Sequence, residues 1–166
     1  ASWMFPVAWE DFIAPIPDEE RGDLMAAYTK RWIGENEDEK LTAAKAWAIW
    51  EGSTVSLRPN QERMTKFASD RFALAFARIE NHYFVNGGFF EAEGWIIDNA
   101  SKLEGIPGTI VQGRYDVVTP LKSAWELHKN WPGSIFKVVP DAGHAESEPG
   151  IATELLRATD QYGSGS

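Results

Sequence analysis

Two residues of this 166-residue chain, Asp116 and His144, are of types suited to proton transfer, and each follows a short β-branched stretch. Asp116 closes Gly113-Arg-Tyr-Asp116 after Thr109-Ile-Val-Gln112, and His144 closes Pro140-Asp-Ala-Gly-His144 after Ile135-Phe-Lys-Val-Val139. A carboxylate that accepts the N–H of one imidazole nitrogen fixes the tautomer. It also stabilises the imidazolium formed when the other nitrogen takes a proton from a hydroxyl nucleophile. Read singly, Asp116 fits a turn former and His144 an ordinary loop residue. Their placement says more, because open α/β sheets carry catalytic groups just past the carboxyl ends of their strands. Neighbouring parallel strands run about 4.8 Å apart, so two such loops bring their side chains within hydrogen-bond reach.

The order acid then histidine matches the last two members of a Ser-Asp-His triad, whose serine belongs in a Gly-x-Ser-x-Gly turn between strand and helix. The sequence contains no such turn. Gly52-Ser53-Thr54 follows a helical stretch and lacks the second glycine, while Ser164 and Ser166 sit in a Gly/Ser run at the end. The oxyanion loop is likewise not found, so the nucleophile is expected on a different stretch of polypeptide.

Two glutamates stand out on electrostatic grounds. Glu51 follows Trp47, Ile49 and Trp50 at the end of an apolar helix, where the helix dipole disfavours an anion. Glu80 lies at four-residue spacing between Phe76 and Phe84. A carboxylate beside aromatic rings is costly unless paired, and either a bound ammonium or an arginine such as Arg58 or Arg78 supplies the partner. The alternating His144-x-Glu146-x-Glu148 resembles a metal motif only loosely; with neither His-Glu-x-x-His nor cysteine, no metal site is expected. His82 and His128 read as structural, with His82 near enough to Glu80 to orient it. Phe89 and Phe90 read as core filling, with a pocket wall for an apolar ring as the alternative.

The elements that must position these residues fall into two kinds. Up to about residue 100 the patterning is helical. Asp18, Glu19 and Glu20 open a helix through Leu24, Tyr28 and Trp32; Lys40 to Trp50 forms a short buried helix; and Gln61 to Val85 forms one long amphipathic helix stopped by Gly87-Gly88. Glu35 to Lys40 reads as a solvated turn. After Gly105 the pattern becomes strand-helix-strand-helix, with Thr119 and Pro120 as N-cap and first turn of the first helix, and Pro149 opening the second. Two parallel strands leave open edges, so the sheet is expected to continue in an upstream segment.

Composition narrows the function classes. With 43% apolar and 13% aromatic residues the chain has material for a packed core, and no run approaches the roughly 20 apolar residues of a membrane span. No signal peptide is read, and the absence of cysteine fits a reducing, cytoplasmic setting. A net charge of -9 argues against nucleic acid as partner.

Four segments carry a specific resemblance: Ala43-Ala-Lys-Ala-Trp-Ala-Ile-Trp-Glu51-Gly, Ala77-Arg-Ile-Glu80-Asn-His-Tyr-Phe84, Ile106-Pro-Gly-Thr-Ile-Val-Gln-Gly-Arg-Tyr-Asp116 and Val139-Pro-Asp-Ala-Gly-His144. They resemble the proline iminopeptidases, serine peptidases of the α/β-hydrolase fold, and the similarity runs from about Ala1 to Tyr162. The resemblance implies an α/β fold fragment. Residues 1–100 would form a helical cap, 101–162 the C-terminal part of the catalytic domain, and 163–166 a Gly/Ser linker or remnant of cloning. It further implies release of an N-terminal residue, preferentially proline, from a peptide with a free amine, without cofactor or metal. Asp116 and His144 fall on the triad positions, and Glu51 and Glu80 on the cap glutamates that bind the amine. The partner implied is a complementary N-terminal polypeptide carrying the serine, without which the chain is expected to be inactive. Ala145-Glu-Ser147 departs from the usual small-and-aromatic stretch after the histidine. Another hydrolase chemistry, such as ester or epoxide cleavage, and a non-catalytic module that assembles with a complementary half are the rival readings.

Overall fold

A computed structural model, which describes residues 1–163, divides the chain into two units. One comprises Ala1–Thr54 and Pro59–Glu91; the other comprises Val55–Arg58 and the chain from Ala92 onward. Of the expected Gly/Ser tail, residues 164–166 lie outside the described residues.

The first unit is built from α1 (Pro6–Ile13), α2 (Leu24–Ile33), α3 (Glu37–Thr54), α4 (Gln61–Phe67) and α5 (Asp70–Val85). Side-chain caps start several of them: Asp23 accepts the Ala26 amide, Asn36 those of Asp38 and Glu39, and Asn60 that of Arg63. Phe12, Tyr28, Trp32 and Trp47 pack with Ala43, Ala44, Ala73 and Ala77, whose small side chains let helices approach. Buried Asn81 ties α2 to α5, accepting from the Thr29 hydroxyl and the Trp32 indole and donating to the Met25 carbonyl.

Three sequence expectations need correction here. Asp18–Glu20 is a separate 3-10 turn, because Gly22 intervenes and Asp23 caps the helix proper; Glu20 instead pairs with Lys30 and Arg31 in the last turn of α2. The stretch read as a solvated turn, Glu35 to Lys40, contains the first turn of α3, whose acids suit the positive helix end. The long helix expected from Gln61 to Val85 is two. Ser69 is extended (φ -73, ψ 136) and starts α5, while Phe67 packs its ring at a tilt against Phe72 and Phe76 across the break and so preserves the apolar rhythm. The Gly87-Gly88 stop is present, with both residues in the left-handed region that glycine tolerates.

The second unit holds α6 (Trp95–Asp98), β1 (Thr109–Gly113), α7 (Leu121–Asn130), β2 (Ile135–Val139) and α8 (Pro149–Gly163). The strands pair in parallel, from Thr109 opposite Ile135 to Gly113 opposite Val139. Val139, Ala142 and Ile151 form a small core with Val111. A Cβ on Gly150 would lie 2.5 Å from a Val139 methyl, which is how closely α8 lies on β2. Thr119 does not cap α7: the helix begins after Pro120 with no side-chain cap, and the threonine hydroxyl is used elsewhere. Among the described residues no helix is long and apolar enough to cross a membrane.

Candidate active site

Beyond the strand ends of the second unit, two loops close on each other. The Arg114 amide donates to the Val139 carbonyl (2.9 Å) and the Tyr115 amide to the Ala142 carbonyl (3.0 Å). Gly113 makes this possible, since a Cβ there would stand 1.8 Å from the Gly143 oxygen. The result is a hydrogen bond of 2.9 Å between His144 Nδ1 and Asp116 Oδ2. The aspartate side chain is 3% exposed and the histidine 37%, so the acid is enclosed while the ring reaches solvent.

Asp116 is saturated with donors. Its Oδ1 accepts the amides of Val118 (3.0 Å) and Thr119 (2.9 Å), and its Oδ2 accepts the Gln112 amide group and the Thr119 hydroxyl, each at 2.9 Å. Burial opposes its charge, but the Thr119 amide, then His144 and the Thr119 hydroxyl, outweigh that and hold the carboxyl below the usual aspartate range. An acceptor-only carboxylate assigns the proton to Nδ1 and leaves Nε2 to exchange one. The histidine loop is strapped in turn: the amides of His144 and Ala145 both donate to the Val55 carbonyl, at 3.0 and 2.8 Å.

In the first unit, Glu51 lies in the last turn of α3 and Glu80 on α5. The indole N–H of Trp47, one turn before Glu51, donates to Glu80 Oε2 at 2.6 Å. Trp47 itself is 1% exposed, so this donor is fixed by the core. Among the described residues no hydrogen bond or ion pair reaches the Glu51 carboxylate. Burial, and after it the charge of Glu80, push its pKa up to about 7. The neighbouring charge of Glu80 thus adds to the cost of ionising Glu51.

Phe89 and Phe90 are not core: they are 59% and 48% exposed, because the left-handed turn at Gly87-Gly88-Phe89 carries the chain outward. His128 stacks on Phe136 and bonds the Ser134 hydroxyl at 2.8 Å, which is a structural use. Among the described residues no cluster of histidine, aspartate or glutamate is arranged to hold a metal ion. Sequence reasoning missed Thr119 and Gln112 as partners of Asp116, and Trp47 as a partner of Glu80. The Asp-x-x-Thr spacing of an Asx-type turn was a signal for the first; nothing in the sequence marked the other two, since both contacts depend on the fold.

No protein-family profile matches the chain. It is 52% identical over 162 residues to a probable proline iminopeptidase of Leptolyngbya boryana, covering 98% of this chain and 50% of that protein. It is 51% identical to the proline iminopeptidase of Xanthomonas citri, covering 98% of this chain and 52% of the relative. For the Arabidopsis thaliana proline iminopeptidase the identity is also 51%, with 97% and 43% covered. The chain thus spans about half the length of the curated relatives it matches. A mostly helical chain with one two-stranded parallel sheet is consistent with a fragment of an α/β-hydrolase.

Proposed function

We propose, from the premise that the chain is a homologue of proline iminopeptidases across half their length, that it supplies the acid, the base and the amine receptor of a prolyl aminopeptidase. The nucleophilic serine and its oxyanion hole come, in this reading, from a complementary polypeptide. The observation that carries the proposal is the bond between His144 and Asp116 at 2.9 Å, with the aspartate enclosed and the ring accessible. Nε2 of His144 takes the proton of the serine hydroxyl as that oxygen attacks the scissile carbonyl, and returns it to the departing amine. Asp116 holds the ring and stabilises the imidazolium between those steps.

Glu51 and Glu80 receive the substrate's protonated N-terminus. The half-buried carboxylate of Glu51, which no hydrogen bond or ion pair reaches among the described residues, supports this role, because a secondary ammonium relieves both its desolvation and its repulsion from Glu80. Exopeptidase action is preferred over ester or epoxide cleavage because those reactions give an acidic pair no cation to bind.

The test uses the chain assembled with the N-terminal half of the Xanthomonas citri relative. A prolyl arylamide with a free amine should be hydrolysed, and its N-acetylated counterpart should not. Equal cleavage of the two would remove the amine receptor from the account.

A further inference from the structure

Glu148 spends both carboxylate oxygens on backbone. Its Oε1 accepts the Gly143 amide at 2.8 Å, and its Oε2 accepts the Leu57 amide at 3.3 Å, 91 residues away in sequence. The residue sits immediately before Pro149, and its carbonyl accepts the Ala152 amide in the first turn of α8, so the helix fixes its backbone. Around it the two segments are packed to their limit. A Cβ on Gly143 would lie 2.9 Å from the Leu57 nitrogen and 3.2 Å from the Ser56 carbonyl carbon. The next two amides, those of His144 and Ala145, donate to Val55. The backbone that carries the imidazole is therefore anchored to the 55–58 segment, and Glu148 supplies a side chain to that anchor.

We infer that Glu148 is a positioning residue for His144: its carboxylate clamps the Gly143 and Leu57 amides, and so keeps the imidazole seated on Asp116. The inference rests on the reading of His144 as general base. Glu148 touches neither the ring nor a reacting atom. Without it the Gly143 peptide is released, and the ring loses registry with Asp116 by a fraction of an ångström, enough to matter for proton transfer. The His144-x-Glu146-x-Glu148 spacing, which looks like metal ligation on paper, then has a different use: one member moves protons and another holds its loop.

The test compares Glu148→Ala and Glu148→Gln with the wild-type chain. In the assembled enzyme Glu148→Ala should lower kcat on a prolyl arylamide by about tenfold or more and leave KM within about twofold, since the clamp acts on chemistry and not on the amine receptor. Glu148→Gln, which keeps one carbonyl acceptor for one of the amides, should recover part of the loss. In the 15N-labelled chain alone, the amides of Gly143 and Leu57 should exchange roughly tenfold faster or more, and the Nδ1–H tautomer of His144 should lose population. Unchanged kcat and an unchanged tautomer population in Glu148→Ala would overturn the inference. If Glu148→Ala does not fold, Glu148→Gln carries the same comparison at smaller amplitude. If the wild-type assembly has no activity, the general-base reading fails, while exchange and tautomer still decide the role of Glu148.

Discussion

The hydroxyl of Thr119 lies 2.9 Å from Asp116 Oδ2 and 3.1 Å from His144 Nδ1, so one side chain borders both halves of the acid–base pair. Because Nδ1 already gives its proton to the carboxylate, the threonine hydroxyl donates to the carboxylate as well. Thr119→Val keeps the shape and removes that donor. We expect kcat to fall by about tenfold, the value of one hydrogen bond to a charged group, with KM little changed. Steady-state kinetics of the assembled enzyme check this; an unchanged kcat would show that the remaining donors suffice.

Glu51 should make substrate capture depend on pH. Its pKa, pushed up to about 7 by burial and by Glu80, leaves it protonated in weak acid, where it cannot balance an ammonium. KM should therefore rise as pH falls through 7, and Glu51→Gln should flatten that limb of the profile.

The same shift has a consequence for stability with a definite sign. Raising a carboxyl pKa favours the folded state only where the group is protonated. Above the ordinary glutamate value near 4.5, each pH unit up to 7 withdraws up to about 1.4 kcal/mol. Glu51→Gln should thus raise the unfolding midpoint at pH 8 more than at pH 5, in thermal or urea melts of the chain. A larger gain at pH 5 would contradict the burial of this carboxylate.

Trp47→Phe removes the indole donor from Glu80 while keeping an aromatic ring in the core. With that donor lost, the Glu80 carboxylate should bind the amine less well. KM should rise by about tenfold with a smaller change in kcat, and the effect should vanish in a Glu80→Gln background, as a double-mutant cycle would reveal.

Gly113→Ala tests how the two loops meet. The added methyl would lie within 1.8 Å of the Gly143 oxygen and 2.8 Å of the Ala142 oxygen, both backbone atoms that cannot swing aside. A loss of about 2 to 3 kcal/mol in urea unfolding is expected, together with separation of His144 from Asp116. Wild-type stability would mean that the loops are less tightly apposed than described.

What the sequence discloses here divides by range. The strands at Thr109–Gly113 and Ile135–Val139 and their parallel pairing were legible, because β-branched runs ending in glycine-containing loops have few other uses. Asp116 and His144 could be paired on paper since adjacent parallel strands leave little freedom in where their loops meet. The single helix expected over Gln61 to Val85 failed because the ring contact between Phe67 and Phe72 hides the break at Ser69 from any periodicity. Glu148 and Trp47 were illegible for a plainer reason. Leu57 is 91 residues from Glu148 and Glu80 is 33 from Trp47, and only the folded chain brings them near.

In the proposed enzyme His144, seated on Asp116, works on a serine that a second polypeptide brings. Prolyl-arylamide hydrolysis by the chain with and without the N-terminal half of the Xanthomonas citri relative tests it, with His144→Ala run beside each. We predict no turnover from the chain alone, turnover on assembly, and a drop of about three orders of magnitude or more in the assembled His144→Ala variant. Turnover by the chain alone, or an assembly indifferent to loss of the imidazole, would contradict it.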